Sequence, residues 1–234
     1  MDMRTIGLIG GVSWHSTLEY YRVINQTVSR ALGGAASAKL VLVSLNFAEV
    51  LRAGKDENSS EHARIYRVAG EALRNAGAEF IVICSNTGHR RADDIEQATG
   101  LEVLHVADVT AQAVKSAGFR RVALLGTAAT MQSPFIRKRI EDRWCIEVAV
   151  PDAETRSTLD RMIMTEMAGG IFSDEARRFV CDVIDRMRGD SGVEASILGC
   201  TELPLLLANA DIHHAVFDTL RLHAEAAAQR ALAH

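Results

Sequence analysis

Two stretches of this chain repeat one pattern, and the repeat constrains the fold more than any other feature of the sequence. Residues 81–84 and 195–198 are short apolar runs, and each is followed by a polar turn that carries a threonine. Each comes at nearly the same distance after a strand-like run that ends in glycine, because Gly10 and Ser85 are 75 positions apart and Gly126 and Cys200 are 74 apart. The spacing predicts two similar α/β units that could face each other, with Ser85 and Cys200 across one cleft.

Apolar runs of strand length alternate with helical patterns along the whole chain. We predict strands at residues 5–9, 39–45, 79–84, 102–105, 121–125, 145–150, 195–198 and 214–217. Helices are predicted at 61–75, 107–117, 132–142, 154–167 and 173–188, and another after the first strand, with Leu18, Tyr21, Ile24 and Val28 at helical spacing. The second strand, rich in Val and Leu, is predicted to be buried on both faces. The predicted fold class is α/β, with two pseudo-symmetric domains, each a mostly parallel sheet flanked by helices.

Ligands of such sheets bind beyond the carboxyl ends of the strands. Gly10, Asn46, Ser85, Thr127 and Cys200 all follow predicted strands. We therefore expect the functional site at these strand ends.

Cys200 is placed where a strand ends and a helix begins, because Gly199 and Pro204 bracket a sharp exit from the apolar run. Backbone N–H groups and the helix dipole stabilise negative charge at such a position, so we predict a Cys200 pKa below its usual value of about 8.5. The alternative is that Cys200 is a small buried apolar residue. The spacing of the four cysteines fits neither a disulfide framework nor a zinc site.

Composition argues against several classes of function. A net charge of -4 with scattered arginines gives no basic footprint, so no nucleic-acid partner is expected. No apolar run is long enough to span a membrane, and the amino terminus lacks the pattern of a signal peptide, so a cytoplasmic protein without membrane partners is expected. Gly7, Gly10 and Gly11 do not make a dinucleotide fingerprint and no phosphate-binding lysine follows them, so tight turns explain these glycines better.

Several motifs taken together make the chain resemble the aspartate/glutamate racemase family, whose members need no cofactor and have two pseudo-symmetric α/β domains. The likeness runs over essentially the whole chain. The motifs are Gly10-Gly11-Val12-Ser13-Trp14 with Ser16-Thr17 and Tyr20-Tyr21, Ser85-Asn86-Thr87 with His89, Leu125-Gly126-Thr127, Gly199-Cys200-Thr201-Glu202-Leu203, and Phe217-Asp218-Thr219 with His223-Ala224. In that family the residue before Asn-Thr and the cysteine of Gly-Cys-Thr-Glu stand on opposite sides of the substrate α-carbon.

The resemblance implies an acid/base pair, Ser85 and Cys200, in the interdomain cleft. A small-molecule amino-acid substrate is expected, bound by Ser13, Asn86, Thr87, Thr127, Thr201 and Glu202, although Asn86 and the threonines could instead be turn or cap residues. No metal or organic cofactor is expected. The first domain is expected to span residues 1–106 and 210–234, crossing near Val106 and Asn209, and the second 107–209. A homodimer is one assembly that the chain could form.

Ser85 departs from the family pattern, which usually has cysteine at this position and threonine in one branch. Cys84 cannot simply replace it, because adjacent strand residues point to opposite faces and Cys84 is expected to be buried. Since a hydroxyl is a weaker acid than a thiol, we expect the Cys200 thiolate to be a competent base, whereas Ser85 donates or relays a proton more easily than it abstracts one.

The substrate class and the reaction each leave alternatives open. Family members that take acidic amino acids are expected to supply cations, for which Arg52, Lys55 and Arg156 are candidates, although each could be a solvated surface charge. His89 could lie near the cleft or pair with local backbone. Aspartate or glutamate racemisation is the first interpretation. A one-cysteine decarboxylase or isomerase of the same superfamily, or a catalytically weak amino-acid-binding protein, are the alternatives.

Overall fold

The structure is a computed structural model that describes residues 3–56, 59–208, 210 and 212–233. Its contacts divide the chain into two compact units. The first unit comprises the residues up to His105 together with those from His223 onward, and the second runs from Val106 to Leu222.

The first unit is built on a parallel sheet with the strand order β2-β1-β3. Its elements are β1 (Ile6–Gly10), α1 (Trp14–Leu32), β2 (Leu40–Ser44), α2 (Phe47–Ala53), α3 (Ser60–Asn75), β3 (Phe80–Ile83), a 3-10 helix (Thr87–Arg91) and α4 (Ala92–Thr99).

The second unit is built on a parallel sheet with the strand order β5-β4-β6-β7. Its elements are α5 (Val106–Ser116), β4 (Arg121–Leu125), α6 (Ala128–Gln132), α7 (Pro134–Trp144), β5 (Glu147–Ala149), α8 (Ala153–Thr165), a 3-10 helix (Met167–Gly169), α9 (Asp174–Ser191), β6 (Ala195–Leu198), α10 (Leu203–Leu206) and β7 (Ala215–Asp218). Helix α11 (Thr219–Leu232) follows β7 and ends in the first unit. The α/β class with two helix-flanked parallel sheets is confirmed.

Strand register makes the two units equivalent at the positions that the sequence repeat singles out. Ile9 of β1 pairs with Ile83 of β3, and Leu125 of β4 pairs with Leu198 of β6. Ser85 lies two residues after the end of β3, and Cys200 lies two residues after the end of β6. In each unit the strand paired with it, β1 or β4, leads to a glycine, Gly10 or Gly126.

Both faces of the second sheet are covered by apolar side chains. Along β4, Val122 and Leu124 belong to one buried cluster and Ala123 and Leu125 to another. This alternation is what a period of two residues produces in a strand that is packed by helices on each side.

Helix α11 is tied to the first unit through a buried histidine. The His223 Nε2–H donates to the carbonyl oxygen of Leu104 at 2.7 Å, so the ring is left with Nδ1 as the acceptor for the hydroxyl of Tyr20 at 2.8 Å. Burial first, and then the neighbouring His89, lower the pKa of His223 to about 3. The ring is therefore neutral in the folded chain at ordinary pH.

Three predicted elements differ from the structure. Residues 102–105 do not form a strand, because only Val103 makes a bridge, to Ile81. Residues 132–142 are not one helix, because the helix is interrupted at Ser133, before Pro134, between α6 and α7. The second strand is not buried on both faces, because β2 pairs with β1 alone among the described strands and Leu42 remains exposed.

The buried face of α1 also differs from the prediction. Leu18 and Tyr21 are 58% and 52% exposed, whereas Tyr20 and Val23 are buried beside Ile24. The buried face begins at the small residues Ser16 and Thr17 and continues at helical spacing through Tyr20, Val23, Ile24 and Val28. It is therefore shifted by one residue from the predicted face.

The observed units differ from the predicted domains in where the chain returns to the first one. The return occurs at His223, since β7 pairs in parallel with β6 and so belongs to the second unit. Asn209, where the return crossing is predicted, lies outside the described residues. None of the helices in the described part of the chain is both long and apolar enough to cross a membrane.

Candidate active site

Ser85 sits at the turn that connects β3 to the following 3-10 helix, and it is 6% exposed. Its Oγ accepts a hydrogen bond from the backbone N–H of Gly88 at 3.0 Å and lies 3.5 Å from the Thr87 hydroxyl. Asn86, which lies between Ser85 and Thr87 in the sequence, is also buried. The structure thus brings together three predicted site residues of the first unit, Ser85, Asn86 and Thr87.

Tyr66 of α3 is a large polar side chain near Ser85, and the sequence motifs did not include it. Ser85 is near enough to the Tyr66 phenol to favour its ionisation, as Arg90 and Arg91 also do. Gly88 makes room for both groups, because a Cβ on residue 88 would lie 3.0 Å from Tyr66 Oη and 3.1 Å from Ser85 Oγ. Burial raises the pKa of the Tyr66 phenol to about 12, against the opposing charge of Arg90.

Two arginines directly after the Ser85 turn converge on a buried histidine. Arg91 Nε donates to His62 Nδ1 at 2.8 Å, and a terminal nitrogen of Arg90 lies 3.1 Å from His62 Nε2. Burial and the two guanidinium charges lower the pKa of His62 to about 4, so this ring stays neutral. In the sequence, the helical spacing of His62, Tyr66 and Leu73 along one face of α3 is the pattern that could have indicated this cluster.

His89 follows the local alternative that the sequence left open. Its Nδ1–H donates to the carbonyl oxygen of Ser85 at 2.9 Å, and its side chain is buried. The ring holds the backbone of the turn that presents Ser85.

Cys200 follows β6 and is 7% exposed. Its thiol donates to Oε2 of Glu202 at 3.0 Å, and the same oxygen accepts from the Thr201 hydroxyl at 2.7 Å. Cys200, Thr201 and Glu202 therefore form one hydrogen-bonded group, as three predicted site residues of the second unit.

The predicted lowering of the Cys200 pKa is wrong. Burial, the charge of Glu202 and the hydrogen bond to its carboxylate hold the pKa of Cys200 well above its usual range, and Asp160 acts in the same direction. Helix α10 has only four residues, so its dipole offers little against two carboxylates. Cys200 is therefore a thiol, not a thiolate, in the folded chain at neutral pH.

Two glycines let the ends of β4 and β6 approach each other beside Cys200. The N–H of Gly199 donates to the carbonyl oxygen of Leu125 at 2.6 Å. A Cβ on Gly126 would lie 2.8 Å from the carbonyl oxygen of Gly199. Thr127 follows as the cap of α6, where its Oγ1 accepts from the N–H of Thr130 at 3.3 Å, so the cap role applies to this threonine.

The other predicted residues lie at strand ends or at the surface. Ser13 follows β1 as the cap residue of α1, and its backbone carbonyl accepts from the Thr17 hydroxyl at 3.1 Å. Arg52 and Lys55 are exposed at the end of α2. Arg156, in the first turn of α8, donates to the carbonyl oxygen of Pro151 at 2.8 Å.

The remaining observations concern Cys84 and metal ligands. Cys84 is fully buried, as predicted from strand alternation, and burial raises its pKa above the usual range. Within the described ranges no three His, Cys, Asp or Glu side chains are grouped so that they could hold a metal ion.

Comparison with known proteins gives a consistent result over nearly the full chain. A family model described as Asp/Glu/Hydantoin racemase matches residues 9–227. A Yersinia pestis protein assigned provisionally as an Asp/Glu racemase is 44% identical, with a TM-score of 0.92 over 99% of this chain and 100% of that one. An aspartate racemase homologue from Pyrococcus horikoshii OT3 is 33% identical, with a TM-score of 0.84 over the same shares. A glutamate racemase from Thermus thermophilus is 26% identical over 60% of this chain and 49% of its own length.

Proposed function

This chain belongs to the Asp/Glu/hydantoin racemase family, and from that membership we propose that it is a cofactor-independent amino-acid racemase. The proposed substrates are aspartate, glutamate or a related small amino acid, since aspartate and glutamate are named in the descriptions of its relatives. Ser85 and Cys200 are the proposed acid/base pair.

The observation that carries the proposal is the equivalence of Ser85 and Cys200. Each lies two residues beyond a strand end that pairs with a glycine-terminated strand, in one unit and in the other. Inversion of a stereocentre through a carbanion needs one proton-transferring group for each face of the carbon. A duplicated fold that offers one such group per unit matches that requirement.

On the Cys200 side, the hydrogen bond to Glu202 replaces the expected thiolate. The Cys200 proton passes to the Glu202 carboxylate as the sulfur takes the α-proton of the substrate, so no free buried thiolate has to form first. The 3.0 Å contact between Sγ and Oε2 is within the reach of a direct proton transfer. Thr201 holds the accepting oxygen in place.

On the Ser85 side, the group that faces the carbanion is a hydroxyl. Ser85 gives its proton to the α-carbon more easily than it removes one, because its alkoxide is costly at neutral pH. We propose that the side chains of Asn86, Thr87 and Thr127, with backbone amides, hold the substrate carboxylate and stabilise the negative charge that develops on it, since the Thr201 hydroxyl already donates to Glu202.

The test is an incubation of the protein with each enantiomer of aspartate and glutamate in D2O, followed by chiral chromatography and mass spectrometry. Inversion with deuterium at the α-carbon is the expected result. Cys200→Ala should abolish exchange, whereas the control Cys145→Ala, at an exposed cysteine, should keep the wild-type rate. Binding without exchange would identify an amino-acid-binding protein, and loss of carboxylate would identify a decarboxylase; either result overturns the proposal.

Independence from metals and organic cofactors is tested separately. Activity should survive exhaustive chelation and dialysis, because the proposed proton transfers use side chains alone. An activity that disappears on chelation and returns with added metal would contradict the mechanism.

A further inference from the structure

We propose that Tyr66 supplies the proton that Ser85 delivers, so that the serine is one end of a two-hydroxyl relay. The inference rests on the proposed function and extends it to a residue outside the family motifs. Tyr66 is a positioning residue and proton source that acts through Ser85.

The placement of Tyr66 fits this role and no surface role. Its side chain is 1% exposed, and its hydroxyl oxygen converges with that of Ser85 on Gly88. Both hydroxyl oxygens lie against Gly88, where a Cβ would approach each of them to about 3 Å and would lie 2.7 Å from Ile83 Cγ2. The absence of a side chain at residue 88 is therefore what allows the two hydroxyls to meet.

Ser85 has the hydrogen-bonding capacity for a relay. A hydroxyl has one donor and two acceptor lone pairs, and the N–H of Gly88 occupies one lone pair of Ser85 Oγ at 3.0 Å. The second lone pair can accept the proton of Tyr66 while the Ser85 hydrogen points to the substrate.

A relay is useful because serine is the weaker acid of the pair. An isolated Ser85 would end the transfer as an alkoxide, whereas the relay ends it as a phenolate, and a phenol ionises more easily than an aliphatic alcohol. Burial raises the pKa of Tyr66 to about 12 even with Arg90 and Arg91 acting in the opposite direction, so the two guanidiniums limit the rise. Arg91 donates to Nδ1 of the neutral His62 ring, one helical turn before Tyr66, and Arg90 donates to the carbonyl oxygen of Gly54 at 3.3 Å.

The protons balance across one inversion. On one face, the substrate α-proton goes to Cys200 and the Cys200 proton goes to Glu202. On the other face, the Ser85 proton goes to the α-carbon and the Tyr66 proton goes to Ser85. Glu202 ends protonated and Tyr66 ends as phenolate, and proton exchange with water, or a turnover in the reverse direction, restores both.

The first test compares wild type with Tyr66→Phe, measuring inversion and α-deuterium exchange with retention for each enantiomer in D2O. The variant keeps the ring and removes only the hydroxyl. We expect inversion to fall at least about tenfold, while exchange with retention at the Cys200 face persists. A purely structural role would lower both rates together, and an unchanged inversion rate would equally overturn the relay.

The second test places Tyr66→Phe in a Ser85→Cys background. A thiol at residue 85 is acidic enough to work without the phenol, so the loss of the Tyr66 hydroxyl should now cost less than about twofold in inversion rate. If Tyr66→Phe costs the same factor in both backgrounds, Tyr66 does not act through Ser85.

Tyr20→Phe is the matched control. Tyr20 is also a fully buried tyrosine of the first unit, but its hydroxyl bonds to His223 and not to Ser85. The control should leave the ratio of inversion to exchange at its wild-type value, and a comparable fall in that ratio would overturn the relay. Absence of exchange in both wild type and Ser85→Cys would refute the proposed function itself, and the relay with it, whereas wild-type inversion that survives Tyr66→Phe refutes the relay alone.

Discussion

At the scale of single residues, burial and the Glu202 charge beside it both keep the Cys200 thiol protonated. A buried thiol whose hydrogen-bond acceptor is a carboxylate keeps its proton, because ionisation would put two negative charges within 3.0 Å. The same contact gives the proton a destination when the sulfur accepts another. In the proposed reaction Cys200 and Glu202 therefore act as one acid/base unit, with the Glu202 carboxylate receiving the thiol proton.

Glu202→Gln tests this coupling. The substitution removes the charge and keeps an acceptor oxygen, so we expect the pKa of Cys200 to fall and its alkylation by iodoacetamide at neutral pH to become about tenfold faster. Exchange of the substrate α-proton should nevertheless slow, because the proton acceptor is gone. Peptide mass spectrometry separates Cys200 from the exposed Cys145.

Thr201→Val is the control for that experiment, since it removes the second hydrogen bond to Glu202 and leaves the carboxylate. Its alkylation rate should stay at or below the wild-type rate. Equal rates in wild type and Glu202→Gln would show that the carboxylate does not control the thiol.

At the scale of elements, close helix packing positions the α3 face that carries Tyr66. Gly70 lies on this face, and a Cβ there would be 2.9 Å from Ile95 Cγ2 and 3.1 Å from Thr99 Cγ2 of α4. Ile95 is fully buried and cannot turn away. The glycine lets α3 and α4 approach.

A pair of glycine substitutions tests this packing. Gly70→Ala should destabilise the protein by about 1–3 kcal/mol through overpacking, despite the better helix propensity of alanine. Gly189→Ala is the matched control in α9, where a Cβ would meet nothing within 4 Å, and it should stabilise by about 0.5–1 kcal/mol. Urea unfolding measures both, and a stabilised Gly70→Ala would contradict the packing.

At the scale of the whole molecule, a neutral buried histidine makes stability depend on pH. The pKa of His223 is about 3 in the folded chain and about 6.5 when unfolded, so the unfolded chain binds the extra proton between these values. The free energy of unfolding is therefore highest, as far as this residue is concerned, above a pH of about 6.5, and it decreases as the pH falls toward 3. Between neutral pH and pH 5 this residue alone should cost about 2 kcal/mol of unfolding free energy.

His223→Gln tests the pH dependence, because a glutamine amide can offer both a donor to Leu104 and an acceptor to Tyr20 without titrating. The variant should lose less stability than wild type between pH 7 and 5, as measured by urea unfolding. A Trp144→Phe background leaves Trp14 as the one remaining tryptophan, so that fluorescence follows the first unit. Equal losses in both proteins would show that His223 does not stay neutral on folding.

Much of the fold could be read from the chain alone, since apolar runs, their period and the glycines that end them are local properties. The strands 121–125 and 195–198 appear in the structure with the predicted bounds. The duplication was visible as two nearly equal spacings, and register then made Ser85 and Cys200 equivalent. Burial of Cys84 followed from strand alternation alone.

Only the tertiary structure decided what surrounds those two residues. Local sequence placed Cys200 at a helix start and so suggested a thiolate, but burial of the thiol and the Glu202 carboxylate beside it raised its pKa instead. Tyr66 is 19 positions before Ser85, and no local pattern shows that α3 turns this hydroxyl toward the serine across Gly88. Electrostatic and hydrogen-bond energies depend on distances of a few ångström between groups far apart in sequence, and those distances exist only once the helices have packed.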